Sequence, residues 1–364
     1  MKILHLLSSG GVGGIEVLCR DIAHFSKKEH EFCFLYNGGS IAEEMQKDNI
    51  PVYCFYSQNI FVRVISLLKL VQKNKYSTVI VHHEGIGIYT FYLILTYFFK
   101  NIKFIKYLHC SFEKQYFYQG NKIKDWLNYQ TLKQTLKRSE HIIAVSEYAK
   151  NSYCKEVYCD ANKISVIYNG IKIPDINNDR DLKQRRERKL RLLYIGRLVE
   201  VKGIRVLLQA IKILQDKGMF VELDILGEGP QREEFEKLSI DWKIDNKVYF
   251  HGQKLQKQEF YDKTDIFIYP SVWQEAFGIS IVEAMAQGKI CIASMSGGIP
   301  EIIEDGRDGF LFPIADAEAL AGIIQNIIWQ YDYGKQREII NAAKQKAAQF
   351  DIYKMIEKLQ EVCR

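Results

Sequence analysis

Two glutamates eight residues apart, Glu275 and Glu283, bracket an apolar run in "EAFGISIVE". A carboxylate set among apolar side chains is costly to bury unless donors reach it. Ionised, it only accepts hydrogen bonds, which suits it to neutral donors such as the hydroxyls of a sugar or a ribose. Plainer uses compete: a cap acceptor at a helix N-terminus for Glu275, a helix-surface glutamate for Glu283. Upstream, "GRLVEVKG" sets Arg197 and Lys202 five residues apart between Gly196 and Gly203. The planar fork of Arg and the point charge of Lys both suit phosphate oxygens, and a helix starting at Gly203 would add its dipole. Two surface cations are the alternative, which the flanking glycines make the weaker one.

Two glycine loops accompany these residues. In "SGGVGGIE", Gly10, Gly11, Gly13 and Gly14 let backbone approach a ligand closely just before a helix start, although a plain tight turn also fits. The loop is no dinucleotide fingerprint: GxGxxG from Gly11 needs glycine where Glu16 stands, and the second apolar run ends "LYNGG" rather than in an acidic residue. "GGIPE", 297–301, is a second glycine turn, with proline at a helix start.

These residues need a scaffold that delivers loops to one place. Apolar strand-like runs at 2–7, 31–36, 52–56, 78–82, 103–109, 141–146 and 163–168 alternate with helical periodicity, as at 63–73 and 124–138. The rhythm breaks at "PDINNDRDLKQRRERK", which is nearly devoid of apolar residues, and resumes with runs at 191–196, 221–226, 247–251, 265–269, 290–293 and 309–312. Helices are expected from Gly203, Pro230, Gly278 and Pro300, and three more between 315 and 364. The expectation is an α/β chain. It has a doubly wound domain at 1–173, a linker at 174–190, a second such domain at 191–345, and a last helix at 346–364 returning to the first. Ligands of such sheets sit at the carboxyl ends of the strands, here in a cleft between facing domains. Glu275, in a loop, would reach further in than Glu283, one turn inside a helix anchored by Ile279, Ile281, Val282 and Met285.

Bulk properties exclude several classes. The chain has 364 residues, 47% of them hydrophobic and 26% charged, enough for two cores. The longest apolar run, 85–99, falls short of the roughly 20 residues a bilayer span needs and reads as a buried helix. The first residues carry no secretory signal, and eight scattered cysteines form no CxxC pair, so reduced thiols in a cytoplasmic protein are expected. The formal charge of +6 is uneven. Between Tyr97 and Arg138, nine basic residues, Lys106 among them, face only Glu113 and Asp125, interleaved with Phe112, Tyr116, Phe117, Tyr118 and Trp126. Such a segment suits either the inner face of an anionic membrane or a solvated helix. No nucleic-acid partner is expected.

As a set, "GRLVEVKG" (196–203), "EAFGISIVEAMAQG" (275–288) and "GGIPEIIEDGRDGFLF" (297–312) closely resemble, in order and spacing, the motifs of retaining family-4 glycosyltransferases of the GT-B fold. The resemblance covers about residues 191–312. It continues more loosely through the Gly-rich loop, "YLHCS" (107–111), "AVSEYAK" (144–150) and "YNGI" (168–171). It implies two Rossmann-like domains facing across a cleft. It also implies transfer of a hexose or N-acetylhexosamine from a nucleotide diphosphate-sugar, a UDP-sugar before GDP-mannose. The acceptor would be a hydroxyl of a glycan or lipid-linked molecule, as in bacterial surface polysaccharide synthesis.

Carried over residue by residue, Arg197 and Lys202 hold the donor diphosphate, Glu283 the ribose, and Glu275 the transferred sugar, near the amides of Phe277 and Gly278. Gly196 and Ile279 complete that donor set, and Gly13 and Gly14 approach from the other domain. His109 stands near the anomeric carbon and joins Arg197, Lys202 and Glu275 as the catalytic set. His83 and Glu84 are expected at the acceptor, and Asn169 and Gly170 at the crossover between domains. Where many relatives carry an acidic residue after that histidine, this chain has Cys110, which leaves no carboxylate base there. Front-face attack follows, assisted by the leaving phosphate, with no metal and no cofactor. A nucleotide-sugar epimerase and a non-catalytic partner of another transferase are the rival readings; the intact set of Arg197, Lys202, Glu275 and Glu283 weighs against the second.

Overall fold

The computed structural model of the chain describes residues 2–11, 13–26, 29–114, 120–157, 159–174, 190–254 and 256–364. Most of the expected linker, and Tyr116, Phe117 and Tyr118, lie outside the described residues. The chain divides into two compact units, Met1–Ile171 with Ile352–Arg364, and Lys172–Asp351.

The first unit holds seven parallel strands, β1 (Lys2–Ser9), β2 (Glu29–Asn37), β3 (Val52–Cys54), β4 (Thr78–Val81), β5 (Lys103–Leu108), β6 (His141–Ala144) and β7 (Ile164–Val166), in the order β3-β2-β1-β4-β5-β6-β7. The second holds six, β8 (Leu190–Ile195), β9 (Val221–Leu226), β10 (Val248–Phe250), β11 (Ile266–Tyr269), β12 (Ile290–Ser294) and β13 (Phe310–Phe312), in the order β10-β9-β8-β11-β12-β13. Both are doubly wound α/β sheets. Their strands read as continuous apolar runs because helices cover both faces, so successive residues such as Ile3, Leu4, Leu6 and Leu7 are all fully buried.

In each sheet the strand order reverses beside the first strand, between β1 and β4 and between β8 and β11. Loops leaving the carboxyl ends of two adjacent strands part there and open a crevice. The glycine loop follows β1, and His82 to Glu84 follow β4. Residues 196–203 follow β8, and 270–278 follow β11. The topology thus brings the loops picked out by residue type to the two switch points.

Helices pack by amphipathic stripes. In Ile204–Asp216 the buried residues Ile204, Leu207, Leu208, Ile211 and Leu214 recur at helical spacing. Side chains of Asn59, Asn121, Asp316 and Asp332 cap four helix starts by accepting backbone N–H bonds. The helix expected from Pro300 is only a 3-10 turn, Ile299–Glu301. Asp308 accepts from the Glu304 amide at 2.8 Å, and Gly306 takes a φ of 75°, which turns the chain into β13 before a second helical turn can form. No helix of the described residues is long and apolar enough to cross a membrane.

The last helix, Ile352–Cys363, belongs to the first unit, and the residues from 346 to 351 stay with the second. Ile352 N–H donates to Ile171 O at 2.8 Å, Gln360 Nε2 donates to Ser26 Oγ at 3.0 Å, and the Phe25 and Tyr353 rings meet edge-on at 5.6 Å. At Gly170 an added Cβ would lie 2.7 Å from Ile352 Cα, so only glycine lets the crossover and the returning helix touch. Gly170→Ala should therefore cost about 1–3 kcal/mol by overpacking. Denaturant unfolding checks this; an unchanged midpoint would show that the helix is not fixed at this contact.

Candidate functional site

In the second unit three loops are tied to one another around Glu275. β8 ends at Ile195, and the amide of Gly196 just after it donates to Leu226 O at 3.0 Å. The chain then makes a 3-10 turn, Glu200–Lys202, and enters the helix Ile204–Asp216 through Gly203 at φ 72°. A Cβ on Gly203 would stand 1.8 Å from Pro270 O, so this glycine sets how closely the loop after β8 approaches the loop after β11. Val201 O accepts from the amides of Val272 and Trp273, and from Ser271 Oγ at 3.1 Å. On the other side, Gly297 at φ 56° presses on Glu275 O, and the Gly298 amide donates to that oxygen at 2.7 Å.

The Glu275 side chain is the focus of these ties. It is 7% exposed and accepts from Lys202 Nζ and Ser271 Oγ, each at 2.6 Å. The Tyr269 hydroxyl also bonds it; burial, and then that carboxylate, hold Tyr269 well above its ordinary pKa, so it remains a donor. Arg197 differs from Lys202. It is exposed, and among the described residues its guanidinium makes no hydrogen bond or ion pair. The exit of β8 thus presents one cation without a partner among the described residues and one cation paired with a buried carboxylate.

Glu283 stands apart from that network. It lies on the helix Ile279–Ala286, whose residues Ile281, Val282, Ala284, Met285 and Ala286 are buried in the core. Its carboxylate accepts from Lys257 Nζ at 2.8 Å and from the Tyr261 hydroxyl at 3.2 Å. Gly278 starts the helix where a Cβ would collide with Ile281 Cδ1 at 2.6 Å. Phe277 and Gly278 are buried, and Ile279 is half-buried.

In the first unit, Gly13 caps the helix Gly14–Phe25, and a Cβ there would meet Glu16 Oε2 at 2.4 Å. Glu16 is buried and pairs with His83 Nε2 at 3.1 Å, while His83 Nδ1 accepts from the Ser8 amide at 3.0 Å. That acceptor role places the His83 proton on Nε2, where it donates to Glu16. Both ring nitrogens of His83, a residue expected at the acceptor, are thus engaged with the glycine loop. Glu84 is exposed and accepts from the Tyr153 hydroxyl. His109 is half-buried, stacked on Tyr107 at 4.3 Å, with Nε2 2.9 Å from His82 Nδ1. The structure brings Lys202 to Glu275 and His83 to Gly13's neighbour Glu16.

Residue type alone did not single out Lys257, Tyr261, Ser271 or Glu16, because each acts through a partner distant in sequence. Lys106 overturns an expectation outright. Counted with a basic surface, it is fully buried, donating to His82 O at 3.1 Å and His83 O at 2.9 Å. It sits mid-strand in β5, where both faces are covered. Phe112 is likewise in the core, 5% exposed. The rest of the segment fits an exposed surface better: Lys122, Ile123, Lys124, Trp126 and Leu127 are all exposed at the start of the helix Lys122–Arg138.

Comparison with known proteins bears on the family and the fold. Residues 12–173 match the family described as Glycosyltransferase Family 4, and residues 175–346 match Glycosyl transferases group 1. Among curated relatives, the amylovoran biosynthesis glycosyltransferase AmsK of Erwinia amylovora is 34% identical over 173 residues, 46% of this chain and 42% of that one. The putative colanic acid biosynthesis glycosyltransferase WcaL of Salmonella typhimurium is 27% identical over 223 residues, 59% and 54% of the two chains. The chain spans about half the length of these relatives. Among solved structures, Anabaena Alr3699/HepE in complex with UDP aligns with a TM-score of 0.84 at 23% identity, covering 100% of this chain and 99% of that one. The fold is that of the GT-B glycosyltransferases.

Burial lowers the Lys106 ammonium from 10.5 to about 8. A folded pKa below the unfolded one means the unfolded chain holds more protons between those values, so this group's contribution to stability rises with pH across about 8 to 10.5. Comparison with Lys106→Met cancels the titration of other groups. The unfolding free-energy difference between the chain and this variant should move toward the chain by on the order of 3 kcal/mol over that window. A pH-independent difference in urea titrations would contradict a buried ammonium.

Proposed function

We propose that this chain, whose two halves belong to the Glycosyltransferase Family 4 and Glycosyl transferases group 1 families, transfers a sugar from a nucleotide diphosphate-sugar to an acceptor hydroxyl with retention of anomeric configuration. One juxtaposition carries the reading. Cations suited to phosphate, Arg197 and Lys202, leave β8, and a carboxylate suited to sugar hydroxyls, Glu275, leaves the adjacent β11, bonded to one of them at 2.6 Å.

In the proposed reaction the bond between the anomeric carbon and the diphosphate oxygen breaks as the acceptor oxygen attacks from the same face. Charge grows on the leaving phosphate, where Arg197 and Lys202 stabilise it; one such donor is worth roughly 100- to 1,000-fold in rate. A phosphate oxygen takes the acceptor's proton, so no protein base is required, and Cys110 beside His109 fits that economy. Glu275 reads the transferred sugar, Glu283 the ribose, and no metal or cofactor enters. A UDP-sugar is the donor class favoured by the neighbours solved with UDP and with UDP-glucose. Relatives named for amylovoran, colanic acid and lipopolysaccharide core biosynthesis point to a surface-glycan or lipid-linked acceptor.

A lipid-linked acceptor requires a route to the membrane. Ile123 at 74%, Trp126 at 58% and Leu127 at 41% exposure, flanked by Lys122 and Lys124, offer apolar anchors beside charges that anionic headgroups attract.

Two measurements test the proposal. Lys202→Ala and Glu283→Ala should each lower turnover of a UDP-sugar at least 100-fold without loss of the folded state, and the native chain should keep its rate in EDTA. Near-normal rates in both variants, or conversion of the nucleotide-sugar with no acceptor present, would overturn the assignment. For the membrane, cosedimentation with anionic vesicles at low salt should fall several-fold in the double variant Ile123→Ser, Trp126→Ser. Equal binding by both proteins would remove this helix from the interface.

A further inference from the structure

Four histidines cross the first sheet in single file. His30 on β2, His5 on β1, His82 just past β4 and His109 just past β5 stand on four adjacent strands. Neighbouring ring centroids lie 5.0, 5.0 and 5.1 Å apart, close to the spacing of strands in a sheet. The nitrogens meet in one pattern throughout. His30 Nδ1 faces His5 Nε2 at 2.8 Å, His5 Nδ1 faces His82 Nε2 at 2.8 Å, and His82 Nδ1 faces His109 Nε2 at 2.9 Å. His5 and His82 are fully buried, and His30 is 5% exposed.

A metal would not explain this arrangement. Two nitrogens bound to one tetrahedral zinc at 2.0–2.1 Å stand roughly 3.3 Å apart, whereas these pairs are at hydrogen-bonding distance. The nearby Cys19 Sγ is 3.8 Å from both nitrogens of His82, off the lone-pair direction of each. Burial above all, then the neighbouring rings or the Lys106 ammonium, holds His5, His82 and His109 well below the usual histidine range, so they are neutral at pH 7.

A neutral imidazole has one N–H and one bare nitrogen. Every link here joins a δ nitrogen to an ε nitrogen, and each needs one donor and one acceptor. A proton on His5 Nδ1 therefore requires a proton on His82 Nδ1, and so along the file. Only two states satisfy all three links: every ring protonated on Nδ1, or every ring protonated on Nε2. We infer that His30, His5, His82 and His109 form a tautomeric relay that sets whether the remaining nitrogen of His109, Nδ1, gives or takes a hydrogen bond.

The two states interconvert with balanced protons. Starting from the Nδ1–H state, His30, His5 and His82 each pass their Nδ1 proton to Nε2 of the next ring. One proton leaves at His109 Nδ1 and one enters at His30 Nε2. His30 lines a cavity of about 320 Å³ at the amino end of the sheet, together with Lys2, Glu29 and Glu31, so the entry end adjoins ionisable groups. For His109 the described residues offer no hydrogen-bond partner beyond His82, which leaves Nδ1 for a ligand. His5, His82 and His30 are then positioning residues for His109. That consequence rests on the sugar-transfer reading; the relay itself does not.

Long-range proton–nitrogen NMR of the full chain labelled with ¹⁵N-histidine tells a bare ring nitrogen from a protonated one. At pH 7 the four rings should share one tautomer. A mixture of Nδ1–H and Nε2–H rings, or an imidazolium among them, would overturn the inference. In His5→Phe, which can still stack on Phe32, the His82–His109 pair is cut from the file, and the His109 nitrogen signals should move toward the average of the two tautomers. His109 signals unchanged in that variant would show that the rings are merely packed. If the variant does not fold, the shared tautomer in the native chain still decides. Loss of turnover plays no part in this readout, so a failed relay and a failed sugar transfer are told apart.

Discussion

The buried carboxylate of Glu275 is the constraint on which the second unit depends. At 7% exposure it has lost most of its water, and donors must replace it. Those donors come from other loops: Lys202 after β8, and Ser271 and Tyr269 at the end of β11. The loops must therefore approach to backbone contact, and glycine is what permits it. Gly203 lies against Pro270 O, and Gly297 against Glu275 O, each at positive φ where a side chain would clash. At these two positions glycine makes the room that lets one loop hold another. Removing Lys202 leaves a buried charge short of its counterion, which is why a structural readout must accompany any loss of activity at this position.

The first unit meets the same problem with less charge. Its sheet buries three histidines and a lysine among apolar strands, and pairs the facing ring nitrogens with one another and the lysine with backbone carbonyls. As neutral rings, His5 and His82 avoid the desolvation penalty of a buried charge, and the Lys106 ammonium helps to keep His82 and His109 neutral. The hydrogen bond it does use, from His83 to Glu16, orders the glycine loop after β1. Each unit thus fixes its switch-point loop through one buried acid, held in each case by a residue from the adjacent strand's exit.

Much of this was legible in the sequence, and the exceptions share a cause. All thirteen strands stand where apolar runs predict them, because strands covered on both faces leave an unbroken hydrophobic signal. The Arg197–Lys202 and Glu275–Glu283 spacings are local patterns, and of these four the structure joins only Lys202 to Glu275. Lys106 and Phe112 were misplaced because composition over a forty-residue window hides the single position that turns inward. The file of histidines was invisible because it depends on register between strands: His5 and His82 are 77 residues apart, and nothing local says that they touch. The helix from Pro300 failed for the opposite reason, a local start signal cut short by the turn at Gly306 that delivers β13.

The charges at the site set what it can bind. Lys202 is matched by Glu275 and Lys257 by Glu283, so the two glutamates of the E-x7-E spacing are each neutralised by a lysine from a different loop. Nearby, Arg205 is matched by Glu200 and Glu234. What remains uncompensated at the exit of β8 is Arg197. A diphosphate brought to this point meets one free cation and a second that it must share with, or draw from, Glu275. Drawing Lys202 toward phosphate leaves the Glu275 carboxylate in need of another donor, which sugar hydroxyls supply. In the proposed reading, phosphate binding and sugar recognition would then be coupled through one ammonium, because diphosphate alone would leave the Glu275 carboxylate short of a donor that a linked sugar can replace.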